Sequence, residues 1–380
     1  MRIVVLGHIV RGPIGGMAWH HLQYVLGLAR LGHRVMFVED SDDYPSCYDP
    51  IRHVIDTDPT YGLQFAHDAF TDLGLENIWA FYDAHTAQWF GPAARGATTF
   101  CESAEIVLNI SGINPLRDWT RKPRTRVLVD TDPAFTQVRN LTKEDARKNA
   151  SEHNSFFTFA ENVANGTARL PDDGLSWRPT RQPVVLDAWK VTRGNPSAPY
   201  TTVMQWSSYP AVEWNGIRYG TKASSFEPFF DLPSRTPAKL EIALGGAGAP
   251  HDKFRDSGWL LQNPLEVALT PRDYQNYIAQ SRGELSVAKQ GYVVSNSGWF
   301  SERSACYLAS GRPVVTQETG FSEWLPVGEG LLSFQNGDEA ANAIAEIERD
   351  YNRHSLAARR IIEEHFDARK VLSRLLSECG

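Results

Sequence analysis

The sequence predicts an α/β protein: two doubly wound, Rossmann-like halves facing each other across a cleft, with a helical C-terminal tail. Three observations lead there. Short β-branched runs alternate with helix-period segments in two series, one opening at Ile3 and the other at Thr201. A Pro/Gly/Ser-rich stretch, Arg193 to Pro199, lies between them. At 380 residues the chain is longer than one ordinary core organises. The expected domains are therefore residues 1–195, residues 196–355, and a terminal helix over 356–380 that packs back on the first domain.

In the first series Ile3-Val4-Val5-Leu6-Gly7 reads as a parallel strand covered on both faces. A loop with Gly12, Pro13, Gly15 and Gly16 follows, and then a helix over Trp19 to Leu31, stopped by Gly32. Arg34 to Asp40 is a strand ending in acids, Ala104 to Ile110 one ending at Ser111-Gly112, and Arg126 to Val129 one ending at Asp130-Thr131-Asp132-Pro133. Residues 41–98 are aromatic and irregular and predict little. In the second series Thr201 to Trp206, Lys239 to Leu244, Leu285 to Ala288 and Val314-Val315 are strands. Terminal helices are expected over Glu339 to Glu348 and Ser355 to Ser377, with a break near Phe366.

An apolar fraction of 42% and a charged fraction of 22% are those of a soluble globular protein. A net charge of −7 supplies no global field toward nucleic acid or anionic lipid, so neither is expected as a partner, although a local phosphate pocket remains open. The four cysteines, Cys47, Cys101, Cys306 and Cys379, form no Cys-x-x-Cys pair and read as reduced thiols. Ile3 to Val10 is too short to span a membrane. The expectation is a cytoplasmic protein without an integral membrane segment, metal or cofactor.

Ligands of open α/β sheets bind beyond the carboxyl ends of the strands, so residues just after strands are the informative ones. Gly15 and Gly16 form either a substrate loop or a tight strand-to-helix turn, and the spacing is not Gly-x-Gly-x-x-Gly. His8 and His20, near that loop with His21, are candidates for a base because imidazole titrates near neutral pH. Asp130 and Asp132 are candidates for the same work, with an Asx turn before Pro133 as the alternative. Lys222 opens a segment whose Phe226, Phe229 and Phe230 look like the inner face of a helix. A lysine there opposes the helix dipole unless an anion binds. The helix beginning at Ser301 has a capping serine, then Glu302 and Arg303, and a tightly packing body with Ala305, Leu308 and Ala309, closed by Gly311. Its first turn and the preceding loop, with Gly298 and Trp299, are expected to face the cleft. Arg303 would hold a diphosphate and Glu302 a hydroxyl pair. Aromatic residues Trp79, Phe81, Tyr82, Trp89 and Phe90 form either an acceptor wall or core.

These features resemble the GT-B nucleotide-sugar glycosyltransferases, most closely the retaining group that includes sucrose and trehalose-phosphate synthases. The likeness rests on Ala-Ser-Gly-Arg-Pro-Val-Val at 309–315, Tyr-Gly-Thr-Lys-Ala-Ser-Ser-Phe at 219–226, Gly-Phe-Ser-Glu-Trp-Leu-Pro at 320–326 and Leu-Gly-His-Arg-Val at 31–35. It implies that Lys222 binds the donor diphosphate. Two glutamates of that group have no counterpart, their places being held by Gly298 and Cys306, and its arginine is replaced by Trp206, Ser207 and Ser208. Substitute contacts are expected from Glu302, Arg303 and Lys289. The implied function is metal-independent transfer of a sugar from a nucleotide-diphosphate donor to a small-molecule or glycan acceptor. The alternatives are a GT-B-shaped epimerase or hydrolase and a non-catalytic sugar-binding protein.

Overall fold

The computed structural model describes residues 1–207 and 209–379; Ser208 lies outside the described residues. Two sheets account for the architecture. The first holds β1 (Arg2–Leu6), β2 (Arg34–Asp40), β3 (Trp79–Asp83), β4 (Gln88–Phe90), β5 (Ile106–Ile110), β6 (Thr125–Asp130), β7 (Ser155–Thr158) and β8 (Trp177–Pro179). Their order is β8-β7-β6-β5-β1-β2-β3-β4, all parallel except the edge strand β4. The second is wholly parallel, with β9 (Tyr200–Gln205), β10 (Leu240–Gly245), β11 (Leu260–Gln262), β12 (Gly283–Ser286), β13 (Val314–Gln317) and β14 (Leu331–Phe334) in the order β11-β10-β9-β12-β13-β14. Each sheet reverses its winding direction once, between β1 and β5 and between β9 and β12. A crevice opens at such a switch point because the crossovers leave toward opposite sides.

The helices that matter for the cleft are α1 (Gly15–Arg30), α2 (Phe135–Thr142), α3 (Lys222–Ser225), α4 (Pro271–Gln280), α5 (Gln290–Ser295), α6 (Glu302–Ala309), α7 (Gly337–Arg349), α8 (Tyr351–His365) and α9 (Ala368–Glu378). α1 starts four residues earlier than its apolar period suggests and is buried at nearly every position from Ala18 to Leu28. It lies between the first sheet, α4 and α9, so it needs no polar face. One buried cluster accordingly runs from Ile3 and Val5 through α1 into α6, α8 and α9. The last helix is anchored where the chain bends: Val184 N–H donates to Phe366 O at 2.7 Å, and Ala368 N–H donates to Val184 O at 2.8 Å.

Two expectations need correction. The helix predicted after Lys222 is a single turn, followed by a 3-10 turn at Glu227–Phe229, because Pro228 has no N–H to continue the ladder. The aromatic wall is not one surface. Trp79 and Phe81 are core, while Tyr82 and Trp89 cluster with Trp119 at the far edge of the sheet, at ring separations of 4.9–5.4 Å. Residues 41–98 also contain a hairpin, Cys47–Asp49 with Val54–Asp56, and a helix, Thr60–Thr71. Among the described residues no helix is long and apolar enough to cross a membrane.

Candidate functional site

The loop after β6 meets the second half, where Lys289 pairs with Asp132 and Trp299 donates to Thr131 O, and the charged groups around the strand ends fall into two kinds: those the protein itself neutralises and those left without a partner among the described residues. On the first half, the loop after β1 is tied down by Glu39 at the end of β2. Its buried carboxylate accepts from the amides of Ile9, Val10 and Arg11 at 2.6–2.8 Å and pairs with the Arg11 guanidinium at 3.3 Å. Asp40 is likewise spent on Arg117, with two bonds of 2.9 Å. The acids that end β2 therefore shape the loop.

Asp130 proves to be structural. It is buried, and it accepts from Asp132 N–H at 2.9 Å, Thr158 Oγ1 at 2.7 Å and Gln137 Nε2 at 3.1 Å. Burial pushes its carboxyl above the ordinary value despite these donors. This is the Asx-type turn, and a carboxylate so enclosed does not reach a substrate proton.

Asp132 is also corrected as a base, for a different reason. It is the centre of a knot between the halves, paired with Arg139 of α2 at 2.6 Å and with Lys289 at 2.9 Å. It also accepts from the hydroxyls of Tyr209 and Tyr292, each at 2.6 Å. Burial raises the Asp132 carboxyl, but Lys289, Arg139 and the two tyrosines pull it further the other way, so it lies below its ordinary value. The Lys289 ammonium sits among the rings of Tyr209, Phe135 and Tyr292 at 4.6–5.2 Å. Lys289, expected to touch a donor, is thus satisfied by the first half.

Gly15 and Gly16 do not form a ligand loop either. They are the first turn of α1, docked on the second half: a Cβ on Gly15 would lie 2.2 Å from Thr270 O, and one on Gly16 3.2 Å from the Tyr274 ring. Trp19 Nε1 donates to Pro271 O at 2.9 Å beside them. The glycines are needed for close approach between the halves.

Of the histidines, His8 packs its ring over Gly12, with Nδ1 3.7 Å from Glu39, and burial together with Arg11 lowers its pKa to about 3. His20 is buried on α1. Its Nδ1 lies 2.7 Å from Gln182 Oε1, and its Nε2 lies 3.4 Å from Ser111 Oγ at the end of β5. Burial lowers the His20 pKa, against smaller raising effects of Glu302 and Gln182.

On the second half, Gly298 and Trp299 join the halves as well. Gly298 has φ +75°, and a Cβ there would lie 2.6 Å from Asn162 Oδ1. Trp299 stacks on Tyr292 at 4.1 Å and donates to Thr131 O at 3.2 Å. Ser301 caps α6 by accepting from Arg303 N–H at 3.2 Å and is itself buried. Arg303, the expected diphosphate holder, turns inward under the β9/β12 switch point. It pairs with buried Glu284 at 2.6 Å and donates to Ser286 Oγ at 2.7 Å and Val203 O at 2.9 Å. Burial opposes its charge, but Glu284 holds it charged, above the usual guanidinium range. Cys306 faces α1, where Gln23 Nε2 lies 3.8 Å from its sulfur. That face of α6 is covered and cannot meet a donor.

Two charges remain. Lys222 at the start of α3 is half-buried, and Glu302 in the first turn of α6 is half-buried; among the described residues neither side chain has a hydrogen bond or ion pair. Burial and the neighbouring Arg303 and Lys289 lower the Lys222 pKa well below that of a free lysine. Such a cation is stabilised by an arriving anion. The residues that sequence reasoning missed are Gln182, Tyr209, Tyr292, Asn162, Ser111 and Thr131. Ser111 and Thr131 carried a signal, each lying in a segment that closes a strand.

The two-sheet architecture is the GT-B fold, and solved structures share it along the whole chain. An alpha-glucosyltransferase in complex with UDP-glucose and DNA containing an abasic site matches with a TM-score of 0.61 at 10% identity, over 100% of this chain and 99% of that one. Sucrose-phosphate synthase from Thermosynechococcus elongatus matches at 0.55 with 13% identity, over 100% of both chains. Anabaena HepE in complex with UDP matches at 0.54 with 13% identity, over 99% of this chain and 100% of that one. No protein-family model matches the sequence, and neither does any curated protein. The first of these structures corrects one expectation. A net charge of −7 speaks against nucleic acid as a partner, but an enzyme of this fold has been solved on DNA, so the exclusion falls. Net charge describes the far field and does not govern a local groove.

Proposed function

We propose that the protein transfers a sugar from a nucleotide-diphosphate donor, held by the second half, to a hydroxyl-bearing acceptor held by the first. The observation that carries this is Lys222. Arg303 and Lys289, beside it, are neutralised by Glu284 and Asp132, whereas among the described residues no carboxylate forms an ion pair with the Lys222 ammonium, Glu284 and Glu302 acting on it only from a distance. A diphosphate supplies that anion, and the charge that grows on it as the sugar leaves is stabilised by Lys222 and the amide end of α6. Glu302 accepts hydrogen bonds from a pair of donor hydroxyls. No metal is needed in this reading, since the lysine performs the neutralisation. UDP or UDP-glucose in the structurally similar enzymes makes a uridine donor the first to try. The acceptor classes are a small molecule, a glycan and, given the DNA-bound glucosyltransferase of the same fold, a nucleic acid.

Calorimetric titration with UDP, GDP, ADP and dTDP and their glucose conjugates tests the donor. Saturable binding of one nucleotide is expected, and silence from all of them sinks the proposal. Mass-spectrometric search for a glucosylated product among small sugars, glycans and short DNA duplexes then separates the acceptors.

A further inference from the structure

A cavity of about 170 Å³ lies between the ends of β7 and β8 on one side and α9 on the other, and none of the cleft residues lines it. Its sheet-side wall is polar and only partly satisfied. Thr180, directly after β8, is 7% exposed; its N–H donates to Thr158 O at 2.8 Å, while its hydroxyl has no hydrogen bond among the described residues. Glu161, beyond β7, is 8% exposed. Its Oε1 accepts from Arg181 Nε at 2.6 Å, and its Oε2 has no partner among the described residues. Polar groups so enclosed cost stability unless something in the cavity bonds them. The facing wall carries cations. Lys370 and Arg374 are one helical turn apart on α9 and share a face. Lys370 Nζ donates to Glu363 O at 2.9 Å and Glu364 O at 3.4 Å at the end of α8, and among the described residues it has no ion pair. Arg374 Nε donates to Glu378 at 2.8 Å, which leaves both terminal nitrogens without a partner among the described residues. Glu161 and Glu378 thus each meet an arginine. Glu364, the remaining carboxylate of the lining, has a side chain 68% exposed, and burial lowers the His365 pKa so that this ring adds no charge near neutral pH. Lys370 is the charge left unmatched inside.

We propose that this cavity binds a compact polyol phosphate, a phosphate monoester carrying free hydroxyls. The Lys370 ammonium beside the Arg374 fork suits the terminal oxygens of a phosphoryl group, which carry more charge than a carboxylate. The free oxygen of the Arg181-paired Glu161 carboxylate only accepts, so it repels a bare anion and calls for an O–H on the same ligand. Thr180 Oγ1 both donates and accepts, and it meets a second hydroxyl. At about 170 Å³ the cavity falls below the roughly 300–1,000 Å³ of sites for drug-sized ligands, so a nucleotide sugar does not fit. Binding here is independent of the sugar transfer proposed above.

The test is calorimetry on the full chain with glycerol 3-phosphate, inorganic phosphate and glycerol, repeated with Lys370→Gln and Thr180→Val variants. Saturable binding of glycerol 3-phosphate is expected in the wild type, about ten-fold tighter than inorganic phosphate, with no binding of glycerol. Lys370→Gln should weaken it about ten-fold or more, and Thr180→Val about five-fold, the worth of one hydrogen bond. Both variants should keep the wild-type melting temperature without ligand, because Lys370 is exposed and the Thr180 hydroxyl has no protein partner to lose. UDP affinity should be the same in all three proteins. Silence from glycerol 3-phosphate overturns the proposal, as does equal binding by Lys370→Gln. Inorganic phosphate binding as tightly as glycerol 3-phosphate would mean an adventitious ion only. Competition between UDP and glycerol 3-phosphate would place the phosphate in the cleft and overturn the proposal as well. Should no nucleotide bind while glycerol 3-phosphate does, the transfer reading fails and this site stands.

Discussion

The β6 end of the first half and the α3/α6 end of the second both present charged side chains to the cleft, yet they use them in opposite ways. At the β6 end every carboxylate oxygen is occupied: Asp130 by three donors within its own half, Asp132 by four groups, three of them from the second half. At the other end, among the described residues, the Lys222 and Glu302 side chains are left unpaired, although Arg303 and Glu284 beside them are matched. A saturated charge is held for geometry, and here it holds the halves together. An unsatisfied, half-buried charge costs stability and is retained where a ligand completes it.

The largest expected effect tests the saturated side. Asp132→Ala leaves Lys289 and Arg139 without their anion, in a site where the carboxylate is about one-fifth exposed. Chemical denaturation should register a loss of roughly 2–4 kcal/mol; a loss below about 0.5 kcal/mol would mean that the knot is incidental. Asp130→Ala should cost about 1–3 kcal/mol by the same measurement, because Thr158 and Gln137 lose their acceptor. Neither substitution should weaken the intrinsic affinity of the second half for UDP more than a few-fold. Lys222→Ala inverts the pattern. Stability should stay within about 0.5 kcal/mol of the wild type or rise, since an unpaired cation is removed, while UDP binding by calorimetry weakens about ten-fold or more. Equal affinity in Lys222→Ala would erase the distinction between the two ends.

The smallest effect is on pH. The Asp132 carboxyl lies below its ordinary 3.8, so its folded form binds the proton less readily than the unfolded chain does. Its contribution is present above the unfolded pKa and is lost as pH falls through the lower, folded one. Asp130, raised by burial, has the opposite sign and gains stability on protonation. Melting curves between about pH 5 and pH 2 should therefore show a smaller acid loss in Asp132→Asn and a larger one in Asp130→Asn than in the wild type.

Much of the fold was legible because it rests on local periodicity. The strands at Ile3, Arg34, Thr201 and Val314, the glycine-terminated helix from Ser301 and the break near Phe366 each announce themselves within a dozen residues. The site was legible only in part. Lys222 and Glu302 stood out by helix position, but nothing local distinguishes Arg303, which turns inward to Glu284, from Glu302 beside it. Asp130 and Asp132 look alike in Asp-Thr-Asp-Pro, and they part only because Lys289, Tyr209 and Tyr292 arrive from the second half. Gly15 and Gly16 read as a ligand loop until the backbone at Thr270 is seen to occupy the space.

The sequence by itself determined the two windings, the strand ends where ligands gather and the capped helices, because periodicity and capping act between neighbours in the chain. Only the tertiary structure decided which charges meet a partner, since that depends on groups brought together from positions as far as 157 residues apart, as Lys289 and Asp132 are. Function in this cleft is what the pairing leaves over.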